Sequence, residues 1–179
     1  MSWFGSNKTA VEALVDGHYA ALYRYAYRLS GATQAAEDLT QEVFLQAQKM
    51  LHQLHDPANA KSWLFTILRN AYLHRVRAEK SARFVSLDGV AEVVDRGNAP
   101  VPIVDSAQLQ AALNQLPEVF RTPVILYYFE DFSYKDIAEQ MNVPLGTVMS
   151  RLARAKVVLR QSLAEHAEVT TSKAQGEGF

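Results

Sequence analysis

A break between two long runs of helical periodicity constrains this chain of 179 residues more than any other feature. Apolar residues recur every three or four positions through residues 11–80 and again through 106–163, which is typical of helices with one buried face. Between these runs, residues 81–105 contain two glycines and two prolines and show no sustained apolar face. A linker is favoured there, although part of it could pair as a strand. The pattern predicts an all-α protein with two small helical domains at 1–80 and 106–165, a flexible linker at 81–105 and a flexible tail at 166–179.

Composition excludes several classes of protein. No apolar run reaches the roughly 18 residues that a membrane span requires, and residues 1–10 lack the basic and then apolar pattern of a secretory signal. Because the chain has no cysteine, disulfide frameworks and thiolate zinc sites are excluded. We therefore expect a cytoplasmic protein without membrane insertion.

The net charge of −1 conceals two basic segments. Residues 61–83 contain six lysines or arginines and one acid, and residues 145–163 contain four basic residues and no acid. The segment 84–140 carries nine acids against three basic residues. Segregated positive charge is typical of a protein that binds a polyanion, whereas the alternative for either segment alone is a solvated helix face.

The stretch SYKDIAEQMNVPLGTVMSRLARA, residues 133–155, predicts a helix-turn-helix. Ser133 and Asp136 have the spacing of a capping box at a helix start. Asn142 tolerates a left-handed turn, and Pro144 suits the first turn of the next helix. The second helix would bury one apolar stripe and present a basic, hydrogen-bonding face that fits a DNA major groove. The alternative is an αα-hairpin whose arginines only keep it soluble.

Residues 61–77 combine aromatic and basic side chains, as capture of single-stranded DNA requires. Stacking on an aromatic ring stabilises an exposed base by roughly 1–3 kcal/mol, and basic residues hold the backbone. Asn70 offers a donor and an acceptor to a base edge. The aromatic residues of this segment are Trp63, Phe65 and Tyr72, of which Trp63 could equally belong to the core.

Taken together, these segments resemble a bacterial extracytoplasmic-function sigma factor, a minimal member of the sigma-70 family. The stretch AEDLTQEVFLQA is similar to the family's polymerase-binding helix, and WLFTILRNAYLHRVR is similar to its promoter-melting helix, which contacts the −10 element. Residues 116–160 resemble its −35-binding domain. The resemblance covers residues 10–163, and the three motifs stand in the family's order with a linker at the expected place.

The resemblance implies a specificity subunit without enzymatic activity, cofactor or metal. Its partners would be core RNA polymerase, promoter DNA and, as in many family members, an anti-sigma factor. The loop at 52–60 would form a pocket for a flipped −10 base. The residues implied at polymerase are Asp38, Leu39, Gln41, Glu42 and Leu45; those at the −10 element are Lys61, Trp63, Arg69, Asn70, Tyr72, His74, Arg75 and Arg77; those at the −35 element are Thr147, Met149, Ser150, Arg151, Arg154 and Lys156.

The chain departs from the family pattern at a few positions. Leu68 stands where alanine is usual, His74 where aspartate is common, and Met149 where lysine is frequent. Thr66 and Ile67 replace the tryptophan pair that housekeeping sigma factors use to open the duplex. The missing tryptophan pair implies weaker melting and stricter promoter choice. Leu68 and His74 bear on how the −10 element is bound, and Met149 implies the loss of one phosphate or base contact.

Two other functions are compatible with parts of the sequence. A stand-alone helix-turn-helix regulator would use the first domain as a sensor or dimerisation module, but such a module has no need of the basic, aromatic segment 61–83. An enzyme could use the histidines, because HQLHD could supply three metal ligands in His52, His55 and Asp56. No fourth ligand is evident nearby.

Overall fold

The computed structural model describes residues 7–82 and 106–176, and the side chains of 9–79 and 106–164 within them. Every long element in these ranges is an α-helix and none is a strand, which confirms the all-α class. The chain divides into two compact units, Met1–Asp88 and Gly89–Phe179. The predicted linker lies outside the described residues, apart from its first two positions, which end a helix.

The first unit is a bundle of three helices, each in contact with the other two: α1 (Asn7–Ser30), α2 (Thr33–Met50) and α3 (Ala60–Ala82). Gly31, at φ 72°, ends α1 in the left-handed conformation that glycine adopts without strain. Tyr25 of α1 and Phe65 of α3 are fully buried and stack with their ring centroids 4.8 Å apart. The bundle is therefore centred on an aromatic pair supplied by two of its helices.

Two short 3₁₀ turns, Leu51–Gln53 and Pro57–Asn59, connect α2 to α3. Leu51 and Leu54 are buried and hold this connection against the bundle. The Asp56 carboxylate accepts a hydrogen bond of 2.9 Å from the Ala58 amide and so caps the turn that leads into α3. The direction in which α3 leaves the loop thus depends on local caps and two anchoring leucines.

The second unit contains α4 (Ser106–Gln115), α5 (Glu118–Glu130), α6 (Tyr134–Met141) and α7 (Leu145–Gly176). The last helix packs against each of the other three. Its backbone is helical through 166–176, where the sequence predicts a frayed tail. No glycine or proline interrupts residues 147–175, so nothing in the chain ends the helix earlier.

The junction of α6 and α7 has the predicted turn chemistry. The Ser133 amide donates to the Asp136 carboxylate at 3.1 Å, and the Asp136 amide donates back to the Ser133 hydroxyl at 3.2 Å, which confirms the capping box. Asn142 has φ 51° and ends α6 in the left-handed conformation. The Pro144 carbonyl accepts from the amide of Thr147 at 2.9 Å and thereby starts α7. The helix-turn-helix predicted from the sequence is confirmed.

We predict that Asn142→Ala loosens this junction, because a left-handed alanine costs about 1 kcal/mol that asparagine partly avoids. Amide hydrogen exchange in α6 should accelerate about fivefold for a loss of that size. The control is Asn142→Gly, which removes the same side chain but adopts the conformation freely and should leave exchange as slow or slower. Equal acceleration in both variants would show that the asparagine side chain, and not the backbone conformation, stabilises the turn.

Candidate nucleic-acid interface

The first three turns of α7 have one face packed into the second unit and one face open. Val148, Leu152 and Ala155 are buried at the spacing expected for the inner stripe of a helix. The opposite ridge consists of small, exposed residues one turn apart: Gly146, Ser150 and Ala153. An object that approached this ridge would meet little side-chain bulk.

Larger side chains line the two flanks of this ridge and differ in chemistry. At 3.6 residues per turn, Leu145, Met149 and Lys156 share one flank, and Thr147, Arg151 and Arg154 share the other. Leu145 is 49% exposed and Met149 is 52% exposed. The predicted −35 residues therefore surround one ridge, but they do not all point in the same direction.

The positive charge of this surface has no acidic partner among the described side chains of the second unit. Neither Arg154 nor Lys156, both exposed, nor the half-buried Arg151 forms an ion pair with another described side chain. The Ser150 hydroxyl donates to the Thr147 carbonyl at 3.0 Å and so presents its oxygen outward as an acceptor. The surface is suited to a polyanion that carries hydrogen-bond donors in a groove.

The predicted −10 residues of α3 divide between two sides of that helix. One side of α3 carries four of them at intervals of seven, four and three: Trp63, Asn70, His74 and Arg77. Trp63 is half-buried, and the other three are exposed. Lys61, Tyr72 and Arg75 are half-buried and lie on another side. Arg69 lies between the two groups, also half-buried.

Phe65 cannot take part in base stacking, contrary to the sequence-based interpretation of the aromatic segment. Its ring is fully buried against Tyr25. The Lys61 ammonium lies 5.7 Å from the centre of the same ring. Lys61 also affects His18, whose pKa is lowered below its ordinary value, mainly by burial and to a smaller extent by the positive charge of Lys61. The imidazole of His18 therefore favours the neutral form. The aromatic side chains of α3 with accessible surface are Trp63 and Tyr72.

Arg75 forms an ion pair with Glu42 of α2, with 2.6 Å between the guanidinium nitrogen and the carboxylate oxygen. The other carboxylate oxygen of Glu42 accepts a hydrogen bond of 3.0 Å from Gln46. This contact joins a residue implied at the −10 element to one implied at polymerase. The sequence does not predict it, because the partners are 33 positions apart.

The residues implied at polymerase occupy one face of α2 with one exception. Four of them are spaced by three, one and three positions and are at least partly exposed: Asp38, Gln41, Glu42 and Leu45. Leu45 is 60% exposed, the highest value among the large apolar side chains described. Leu39 is only 1% exposed, so its assignment to a partner contact is corrected: it lies about 100° around the helix from Asp38, on the side that forms the core.

The described parts of the chain contain neither a metal-binding cluster nor a membrane-spanning helix. No group of three His, Asp or Glu side chains there has an arrangement that could hold a metal ion. None of the helices described is both long and apolar enough to span a membrane.

Leu145 is an exposed residue of α7 that the sequence analysis does not include in the candidate interface. Its exposure could have been predicted, because it lies outside the buried stripe formed by Val148, Leu152 and Ala155.

Comparison with known proteins gives matches over both units. The family model "Sigma-70 region 2" matches residues 14–82, and "Sigma-70, region 4" matches residues 106–159. The ECF RNA polymerase sigma factor SigE of Mycolicibacterium smegmatis is 38% identical over 171 residues, which is 91% of this chain and 65% of that protein. SigL of Mycobacterium tuberculosis, another ECF RNA polymerase sigma factor, is 35% identical over 161 residues, 87% of this chain and 89% of that protein.

Among solved structures, the sigma factor RpoE of Bartonella quintana, crystallised with the anti-sigma factor NepR, aligns with a TM-score of 0.70. The two sequences are 29% identical, and the alignment covers 86% of this chain and 96% of RpoE.

We predict that Glu42→Gln releases Arg75 for phosphate binding. Affinity of the free chain for a single-stranded oligodeoxythymidine should rise, and the slope of log affinity against log salt should steepen by about 0.7 for one added phosphate contact. The free energy of unfolding should change by less than about 1 kcal/mol, because the pair is partly solvated. Both quantities can be measured by fluorescence anisotropy and urea titration.

The matched control is Glu37→Gln, which removes one acid from the same helix without touching Arg75. Since it changes only the net charge, it should leave the salt slope at the wild-type value. A slope that is unchanged in Glu42→Gln, or steepened equally in both variants, would contradict the role assigned to the ion pair.

Proposed function

The chain belongs to the sigma-70 family as a sigma factor of its extracytoplasmic-function group, and on this premise we propose that it directs core RNA polymerase to specific promoters. It acts as an alternative sigma factor, a regulatory subunit that takes no part in bond-making, and it works in the cytoplasm beside polymerase. The observation that carries this proposal is the occurrence of both family regions in one chain, each on its own helical unit. A regulator with a sensor domain would not require the first of them.

Core polymerase binds the exposed face of α2. The support for this is the combination of Leu45, a large apolar side chain left in solvent, with Asp38, Gln41 and Glu42 beside it on the same face. An exposed apolar anchor within a polar rim is typical of a protein interface, because burying it on binding removes apolar surface from water. Leu39 supports this face from within the core and does not touch the partner.

The −10 element is captured by the side of α3 that carries Trp63, Asn70, His74 and Arg77. Unstacking a base costs a few kcal/mol, so open DNA persists only where the protein binds the exposed bases. An indole supplies a stacking surface, an amide supplies paired donor and acceptor groups, and a guanidinium holds the phosphate. The second group on α3 consists of Lys61, Tyr72 and Arg75. Together with Arg69, which lies between the two groups, it contributes to the backbone path of the same strand.

The −35 element is bound as duplex by α7. The support lies in Arg151, Arg154 and Lys156, which no described side chain pairs, around the narrow ridge formed by Gly146, Ser150 and Ala153. Thr147 and Met149 complete the two flanks. Basic side chains on the flanks of a helix contact phosphates while its ridge meets the base edges.

An anti-sigma factor is the proposed regulator of this chain. The support is by relationship, because RpoE of Bartonella quintana was crystallised with the anti-sigma factor NepR. The partner would occupy surfaces that polymerase needs, and the exposed face of α2 is the first of these. Competition between purified partner and core polymerase for this chain is the direct measurement.

Run-off transcription with core polymerase tests the function. The purified chain should give promoter-dependent transcripts, and two variants should separate its activities. Arg154→Ala should weaken binding to −35 duplex and lower its salt slope by about 0.9. Asn70→Ala should leave duplex binding unchanged and impair opening, which permanganate reactivity of thymines reports. Absence of both core binding and transcripts would overturn the proposal.

We predict that Gly146→Ala stabilises the fold and weakens duplex binding. A methyl group added at this position would have no atom within 4 Å, and the backbone of Gly146 does not have a positive φ. The fold itself therefore does not require glycine here. Replacing a helical glycine by alanine stabilises by about 0.5–1 kcal/mol. If the ridge approaches the groove closely, the same methyl should lower duplex affinity by about fivefold.

The matched control is Gly17→Ala in α1, where an added methyl group also meets nothing within 4 Å. It should raise the unfolding temperature similarly and leave duplex binding unchanged. Duplex affinity that stays at the wild-type value in Gly146→Ala would show that the ridge does not come close to DNA.

A further inference from the structure

We propose that Leu145 and Met149 form an apolar contact for the C5 methyl groups of thymine in the duplex that α7 binds. The inference rests on the proposed function and deepens it, because it assigns base preference to two side chains and names the chemical group that they recognise. Leu145 lies outside the set of DNA-contacting residues that the sequence motif implies.

The two side chains form a continuous apolar strip. They are four positions apart on the first turns of α7 and therefore lie one above the other on the same flank. About half of each side chain is exposed, at 49% and 52%. A leucine or methionine left in this state gains stabilisation only when a partner covers it, at roughly 25 cal/mol per Å² of apolar area.

The charge around the strip indicates what covers it. Lys156 lies on the same flank, and Arg154 lies across the ridge, neither in an ion pair with a described side chain. No acid occurs between Leu145 and Leu163. Lys135 and Glu139 of α6, which line a depression beside Leu145, are paired with each other at 3.9 Å. The partner that this surface favours is therefore negative and still offers apolar groups. Duplex DNA satisfies both conditions, because the thymine methyl is the apolar group displayed in its major groove.

The ridge beside the strip allows the necessary approach. Gly146 and Ser150 project little or no side chain between the two flanks, so the helix can descend until the strip reaches base height. The side chains of Arg151 and Arg154 are then long enough to reach phosphates on the opposite side of the major groove. Leu145 and Met149 would thus meet thymine methyl groups on one flank, while Lys156 beyond them and Arg151 and Arg154 on the other flank hold the backbone.

The test uses the full-length chain and duplexes with a randomised block. Bound duplexes are selected and sequenced, and each thymine of the enriched sequence is then replaced by deoxyuridine, which lacks only the methyl group. Loss of one buried methyl should lower wild-type affinity about fourfold at one or two positions. In Leu145→Ala or Met149→Ala, the duplex with deoxyuridine at the matching position should bind about as tightly as the duplex with thymine.

Two further variants make the result specific. Met149→Leu keeps an apolar side chain and should keep the deoxyuridine penalty. Val119→Ala removes another exposed apolar group of the second unit, 39% exposed on α5, and should also leave the penalty intact. Both are surface substitutions, so the fold is retained in each comparison.

The possible outcomes distinguish a failure of the thymine-methyl contact from a failure of the proposed sigma-factor function. If the chain selects a sequence but no deoxyuridine replacement reduces affinity, or the enriched block holds no thymine, the inference is overturned and the proposed function stands. A penalty that persists in both alanine variants also overturns it. If no sequence is selected and no transcript forms with core polymerase, the proposed function fails and the inference fails with it.

Discussion

Burial of a single apolar stripe on each short helix is the constraint on which the rest of this structure depends. A helix of eight residues such as α6 is not stable alone in water, so it exists only because Ile137 and Met141 are buried in the second unit. The same requirement directs Val148, Leu152 and Ala155 of α7 inward. What remains outside is then available to bind a partner. The exposed ridge of α7 is thus a consequence of how its opposite face is packed.

The ion pair between Arg75 and Glu42 shows how closely two proposed surfaces of the first unit are connected. One partner belongs to the proposed polymerase face on α2 and the other to the proposed DNA helix α3. A partly solvated pair of this kind contributes little to stability. Its consequence is electrostatic, since a protein that engages Glu42 would free a positive charge beside the DNA path. Binding of polymerase and binding of DNA would then favour each other, as reciprocal linkage requires.

Much of the fold and part of the candidate site could be predicted from the sequence. The capping box at Ser133, the left-handed turn at Asn142 and the inward stripe of α7 depend on neighbours a few positions away, so local patterns predict them. Leu39 was assigned to polymerase only through the family resemblance, and a motif does not say which of its residues face the core. Phe65 was misassigned because periodicity separates a buried from an exposed face, whereas residues near the boundary are decided by which neighbouring helix covers them.

By itself, the sequence determined the helical class, the helix-turn-helix and the family to which the chain belongs, because these follow from short-range spacing and from motifs in a fixed order. Only the tertiary structure decided which side chains remain available for contact. Packing buried Phe65 against Tyr25 and brought Arg75 to Glu42 across 33 positions. These outcomes depend on contacts between helices, and no local pattern carries that information.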